Sequence, residues 1–395
     1  MTDHIIPNHF IIVFKPEVPK ARCQEHCQWA AELYTQRISA RSAAGEEPET
    51  SGISHHYSFP TWNGYAGSFD EYVRNEIGSR DEVDFIEPDY KVYTKDFITQ
   101  DDVPSWGLAR ISHDEKLTAD TRTTYTYDSS AGEGTRAYII DTGILADHED
   151  FGGRATFGHN AVAGSSDTDK NGHGTHVSGT IGGSTFGVAK KTTLIGVKVL
   201  GDNGQGSNST VIAGLQWAVE HAEADGVTNK SVANMSLGGQ SSRAMNDAVA
   251  AVVRMGLTVC AAAGNENQLA DTSSPASEPT VITVGAIGDG DSEADFSNFG
   301  KLVDILAPGI NITSAWIDVL GGTSLNKTRT INGTSMATPH VTGLAAYLIA
   351  KEGLSGSTAV TKRIKALAAK NSRQVAVLKA GSPNLIAYNG AASST

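Results

Sequence analysis

A serine hydroxyl is a weak nucleophile unless an imidazole takes its proton and a third group, typically a carboxylate, orients that imidazole. The 395-residue chain holds these residue types in four short segments. Asp141 closes the apolar run "AYIIDTG", His173 and His176 open "HGTHVSGTIGG", Asn265 follows "CAAAG", and Ser335 begins "SMATPHVTGLAAYLIA". Taken singly, each has a plainer reading. Asp before Thr-Gly is a common turn. A histidine pair three apart could ligate a metal, although the Glu of the zinc-protease helix motif is absent. Asn265 could simply end a strand, or aim its amide at a developing oxyanion. Ser335 could merely open a helix, where the first N–H groups are free and the dipole end is positive. Pro339, four residues on, is expected near the first turn, where its missing N–H has no partner to lose. Together, Asp, His, Ser and an oxyanion Asn form a set for nucleophilic hydrolysis.

Such a set needs a scaffold that gathers distant segments. From residue 104 onward, apolar runs such as "RAYII", "TLIGVKVL", "SVANMSL", "LTVCAAA" and "TVITVGAI" alternate with stretches of helical period. Val211, Leu215, Ala218, Val219 and Ala222 mark one helix, and Met245, Val249, Val252 and Val253 another. The alternation predicts an α/β fold, a mostly parallel sheet with helices on both faces. Ligands then meet the carboxyl ends of the strands, where Asp141 and Asn265 fall. The first ninety-odd residues read differently, as β-α-β-β-α-β, which predicts a small α+β ferredoxin-like module. Between them "ITQDDVPSWG" is polar and marked by proline. The expected division is therefore 1–96, a linker over 97–103, and 104–395.

Composition removes several classes of function. A net charge of −13 without a basic run argues against a nucleic-acid surface, which needs clustered Lys and Arg. No stretch approaches the roughly 20 apolar residues of a membrane span, and no G-x-G-x-x-G follows a strand, which speaks against dinucleotide binding. "MTDHIIPNHFIIVFKPE" lacks the basic start and apolar core of a secretory leader and reads as a first strand. Cys23, Cys27 and Cys260 are too few for a disulfide framework. "CQEHC" places Cys23, His26 and Cys27 close together, which could suggest metal ligands, but no fourth ligand accompanies them and packing is expected instead.

The segments "YIIDTG", "NGHGTHVSGT", "AAAGNEN" and "NGTSMATPHV" resemble the active-site motifs of the subtilase family, in its proteinase K-like branch of fungal alkaline serine proteases. The resemblance extends through "NMSLGG", "SSPASEP", "FSNFG" and "GSPNLIAYNG", and "IIPNHFIIVFKP" with "VDFIEPDYKVY" resembles that family's inhibitory prosegment. It implies a subtilisin-like fold for 104–395, a serine endopeptidase made as a zymogen, and Ser335, His173 and Asp141 as nucleophile, base and orienting carboxylate. Asn265 and the Ser335 N–H would bind the oxyanion. Gly204, Gln205 and Gly206 would pair with substrate backbone. Ser236, Leu237, Gly238, Gly239, Ala262, Ala263 and Gly264 would wall a primary pocket without Asp or Glu, suited to large apolar or aromatic side chains. A structural calcium ion is implied on the carbonyls of Pro279 and Val281 and the Asp304 carboxylate. The partners implied are protein and peptide substrates and the chain's own prosegment, with neither nucleic acid nor membrane, in a monomer. Secretion is the family's habit and a vacuolar location its variant; the missing leader leaves an intracellular one open.

Overall fold

The computed structural model describes residues 5–43, 51–90, 97–318, 323–369 and 375–391. The chain forms two compact units, 1–94 and 95–395. The residues at which the first module was expected to end, 91–96, lie outside the described ones.

The first unit runs β1 (Ile5–Phe14), α1 (Lys20–Ala43), β2 (Gly52–Ser58), β3 (Asn63–Ser68), α2 (Glu71–Gly78) and β4 (Val83–Tyr90). Its sheet order is β2-β3-β1-β4 and every pairing is antiparallel, the ferredoxin-like arrangement the pattern predicts. Cys23 and Cys27 belong to its core with Phe14, Tyr65 and Phe69. His26, also buried, lies 2.8 Å from Glu82 through Nδ1 and 3.1 Å from the Tyr65 hydroxyl through Nε2. The "CQEHC" residues thus pack a core, and burial pushes the Cys27 thiol up to about 11.

The second unit opens with β5 (Phe97–Gln100), α3 (Trp106–Ser112) and β6 (Tyr125–Asp128). The expected linker is therefore partly structured. Phe97 to Gln100 pair antiparallel with Tyr125 to Asp128, and Val103 enters the core. Four polar or exposed residues with no alternating apolar pattern hid this strand; the partner strand, not propensity, decides it.

The body comprises β7 (Arg136–Asp141), β8 (Ala155–Asn160), α4 (His173–Gly182), β9 (Thr193–Lys198), α5 (Asn208–Ala224), β10 (Ser231–Met235), the short β11 (Gly239–Gln240), α6 (Arg243–Arg254), β12 (Thr258–Ala262), the short β13 (Ser273–Ser274), β14 (Ile282–Ile287), β15 (Ile305–Pro308), β16 (Ile312–Ala315), β17 (Thr328–Ile331), α7 (Thr334–Glu352) and α8 (Ser357–Ala369). Seven strands form one sheet in the order β15-β14-β12-β10-β7-β9-β8, parallel throughout. Two separate cores line its faces, one containing α4 and α7 and the other α5 and α6. Strand order reverses at β7, with β9 on one side and β10 on the other. The carboxyl end of β7 is accordingly the crevice of the sheet, and Asp141 ends that strand. Among the described residues no helix is long and apolar enough to cross a membrane.

One buried ion pair ties α3 to the loop after β14. Arg110 donates from Nε to Asp291 Oδ1 at 2.7 Å and from Nη2 to Oδ2 at 3.1 Å, while Nη1 reaches the His113 carbonyl. Both side chains are almost wholly buried, so loss of one partner strands a charge. Arg110→Met should lower the unfolding free energy by about 3–5 kcal/mol, read from the urea midpoint; an unchanged midpoint would refute the role given to the pair.

Candidate active site

The site begins where β7 ends. Asp141 is fully buried, and its carboxylate contacts His173 Nδ1 at 2.8 Å through Oδ1 and 2.9 Å through Oδ2. The Thr142 N–H also donates to Oδ1, at 2.7 Å. These contacts assign Nδ1 as the protonated nitrogen and leave Nε2 for other work. Burial alone would push His173 down; the charge and hydrogen bond of Asp141, with the charge of Asp169, hold it above its ordinary value instead.

His173 is the first residue of α4, and a second carboxylate fixes that helix end. Asp169 Oδ1 accepts from Thr142 Oγ1 at 2.9 Å and from the N–H groups of Asn171 and Gly172; Oδ2 accepts from the Thr175 N–H and hydroxyl. Thr142 Oγ1 in turn accepts from the Gly174 N–H. A Cβ on Gly174 would lie 2.0 Å from the Gly143 carbonyl oxygen, so only glycine permits this approach of α4 to the β7 turn. Sequence reading missed Asp169, although "DTDKNGHG" places it three residues before Gly172, at the spacing of a side chain that caps main-chain N–H groups.

His176 serves a different purpose. Its ring is buried, Nε2 donates to the Ile312 and Arg329 carbonyls at 3.1 Å, and burial with the nearby His173 charge pushes it down to about 3. The two histidines therefore do not converge, and among the described residues no group of three or more His, Cys, Asp or Glu could hold a metal.

Ser335 is the second residue of α7, and of positions 333–349 it alone is not buried. A helix apolar on all sides belongs inside a core, so one accessible serine at its start stands out. Its hydroxyl donates to the Ser236 carbonyl at 3.2 Å rather than to His173, while Ser236 Oγ donates to the Ser335 carbonyl at 2.8 Å. The second bond corrects the expectation for Pro339. Pro339 is the sixth residue of α7, past the first turn, and the Ser335 carbonyl it leaves without a helical donor is satisfied by Ser236.

Asn265 faces the same helix end. Its Oδ1 accepts from the Thr334 N–H at 2.8 Å and the Thr334 hydroxyl at 3.0 Å, which fixes the amide's orientation. Nδ2 is left as a free donor, and the Ser335 N–H likewise has no partner among the described residues. Asn298, buried in the "FSNFG" segment, shapes this loop: its amide donates to the Ala263 carbonyl and Glu266, and its Oδ1 accepts from the N–H groups of Glu266 and Gln268. Gly264 has φ of +107°, and a Cβ there would lie 2.2 Å from Asn298 Nδ2.

Two adjoining cavities complete the cleft. One, of about 510 Å³, is lined by His173, Gly204, Gln205, Gly206, Ser236 and Leu237 among others. The other, of about 330 Å³, is lined by Ala262, Gly264, Asn265, Glu266, Thr334 and Ser335. Leu237, Gly238 and Gly239 border both. Two pocket expectations change. Ala263 is fully buried in the core and lines neither cavity. Glu266 does line the second, so that pocket is not free of carboxylates; its Oε2 accepts from the Asn265 N–H and the Asn298 amide.

Residues 132–385 match the model of the subtilase family, and residues 9–95 match that of peptidase inhibitor I9. The chain belongs to the subtilase family. Subtilisin-like protease 1 of Arthroderma otae is 48% identical over 362 residues, 92% of this chain and 71% of that one. Alkaline protease 1 of Aspergillus oryzae is 46% identical over 388 residues, 98% and 92% of the respective chains. The crystal structure of a cold adapted subtilisin-like serine proteinase superposes with a TM-score of 0.63 at 41% identity, over 72% of this chain and 97% of that one. This subtilase is thus a serine endopeptidase that carries an I9 prosegment, and protein substrates are its partners.

The calcium ligands implied by resemblance fare differently in this subtilase. Asp304 directly precedes β15, and its carboxylate is already engaged: Oδ1 accepts from Lys365 Nζ at 2.5 Å and Oδ2 from the Thr283 N–H at 2.9 Å.

The Asn298 bonds generate a test of the loop they hold. Asn298→Leu leaves the Glu266 and Gln268 N–H groups without their acceptor, at about 1–3 kcal/mol for each group left buried, and leaves the Ala263 carbonyl with only the longer bond from the Ser273 hydroxyl. The variant should lose both stability and peptidase turnover while His173 keeps its titration; full turnover in the variant would show that the loop is held by other means.

Proposed function

We propose that this subtilase hydrolyses peptide bonds through Ser335 as nucleophile, His173 as general base and then acid, and Asp141 as the group that orients the imidazole. The observation that carries the reading is the buried Asp141 carboxylate gripping the partly exposed His173 ring in the cleft that Ser335 and Asn265 also line. With Nδ1–H held by Asp141, Nε2 is the basic atom. In the working complex the Ser335 hydroxyl turns from the Ser236 carbonyl toward Nε2, since catalytic hydrogen bonds commonly tighten only when substrate is bound. Oγ then bonds to the scissile carbonyl carbon and its proton passes to Nε2. The carbonyl oxygen takes the negative charge and accepts from Asn265 Nδ2 and the Ser335 N–H, with the N-terminus of α7 adding its dipole. The same proton goes to the departing amine, and water repeats the sequence on the acyl-enzyme.

Substrate backbone lies along the 204–206 segment, whose main chain pairs with any sequence and so supports broad cleavage. The small walls Gly238, Gly239, Ala262 and Gly264 favour a large apolar or aromatic residue before the cut, with Glu266 adding tolerance for a basic one. The prosegment acts as an intramolecular inhibitor until the enzyme, a secreted monomer, removes it. Because Phe97–Gln100 is laddered to β6, a cut at the N-terminal edge of the expected 97–103 linker leaves that strand in place.

Intact mass of freshly expressed protein tests the nucleophile. The parent should lose its first unit while Ser335→Ala stays full length; equal processing of both would sink the assignment of Ser335.

The pH profile tests the base. Neutral His173 is the active form, so kcat/KM rises with pH through its pKa, which the carboxylates hold above the ordinary 6.5. Removing a negative neighbour stabilises the neutral ring. Asp169→Asn should therefore move the acid limb of kcat/KM to lower pH; a limb that stays or moves up would contradict the electrostatic assignment.

A further inference from the structure

Calcium takes six to eight oxygen ligands and gains affinity with the negative charge they bring. Of the three ligands that resemblance implies here, Pro279 and Val281 offer only main-chain carbonyls, and Asp304 is the single charged donor. That charge is already matched. Lys365 Nζ sits 2.5 Å from Oδ1, and the Thr283 N–H holds Oδ2 at 2.9 Å, while the Asp304 N–H returns to the Thr283 carbonyl at 2.8 Å. The carboxylate is thereby locked in orientation with its free oxygen turned to the ammonium. Lys365 does not reach Asp304 by chance of a loose loop. It rides on α8, whose neighbouring Ile364, Leu367 and Ala368 are buried in the main core, so the helix delivers the amine to one place. A doubly charged ion at Asp304 would meet a neutral pair and a repelling ammonium, so the residues present do not fit calcium.

We propose that Lys365 is an internal cation that replaces calcium at Asp304 and holds the junction of β14, β15 and α8 without an ion. The site remains open to solvent, with the Asp304 side chain 20% and the Lys365 side chain 42% exposed, so a cation could reach it once the amine is gone. The difference between an ammonium and an ion is then a matter of which positive charge the carboxylate holds.

The experiment uses full-length Ser335→Ala protein, which removes self-digestion, together with Lys365→Met, Asp304→Asn and the double variant in that background. Thermal midpoints are measured after chelation and after addition of calcium chloride, and calcium binding is followed by calorimetry. The expected result is a midpoint at the Asp304 site indifferent to calcium in the parent, a lowered midpoint in Lys365→Met that calcium restores, and no restoration in the double variant. Any calcium response of the parent that persists unchanged in Asp304→Asn belongs elsewhere in the molecule and supports the proposal. A parent response that Asp304→Asn abolishes would overturn it, as would a Lys365→Met variant whose midpoint and calcium response match the parent's.

Discussion

The cleft depends on one buried carboxylate that lines neither of its cavities. Asp169 accepts five hydrogen bonds, and through Thr142 it joins the turn after β7 to the first turn of α4. An α-helix leaves its first N–H groups without internal partners, and a glycine at the cap position, as Gly172 is here, brings no side chain to satisfy them. The acceptors come from outside: Asn171 Oδ1 for the His173 N–H, Thr142 Oγ1 for that of Gly174 and Asp169 Oδ2 for that of Thr175, and Asp169 also binds the Asn171 N–H and the Thr142 hydroxyl. It thereby sets where α4 begins, and His173 is the residue at that beginning. The separation between the Asp141 carboxylate and the His173 ring is thus set by a third residue that caps main-chain N–H groups.

A complementary constraint acts at α7. From Gly333 to Ile349 every residue but Ser335 is buried, so the helix cannot rotate or slide without exposing core. Its proline removes one main-chain bond, and the chain uses that loss. The freed Ser335 carbonyl accepts from Ser236, which is itself reached by Asn234, which accepts from Thr342 in the next turns of α7. This loop of hydrogen bonds pins the serine between the end of β10 and its own helix. Thr334 takes the amide oxygen of Asn265, which leaves Asn265 Nδ2 as the donor without a partner among the described residues.

Much of this is legible in the sequence alone. Asp141, His173, Asn265 and Ser335 each follow a strand or open a helix, and the alternation of apolar runs places strand ends at one side of a parallel sheet. The β-α-β-β-α-β order of the first unit was equally plain from periodicity. What stayed hidden depends on partners far away in the chain. The strand at Phe97–Gln100 exists because β6 accepts it, the register of Pro339 depends on Ser236, and the core position of Ala263 depends on which face of β12 meets α7. Glu266 and Asn298 look like ordinary loop residues until Gly264, at positive φ, folds the segment onto them. Asp304 was legible as a charged oxygen at a strand end, but its counterion was not, since Lys365 lies sixty-one positions later on a separate helix.

The balance of charge around the site follows from the same packing. Two carboxylates, Asp141 and Asp169, are buried beside a single imidazole, and unpaired buried charges are costly. Lys198, fully buried at the end of β9 and level with Asp141 in the ladder, donates to the Thr142 carbonyl at 2.8 Å and to Asp202 at 3.0 Å. Its ammonium thus meets the main chain of the turn that both carboxylates engage, and the carboxylate it pairs with, Asp202, is exposed. The two buried carboxylates therefore act on the imidazole and hold His173 above its ordinary value against its burial, while the Lys198 ammonium is matched by Asp202 and the Thr142 carbonyl.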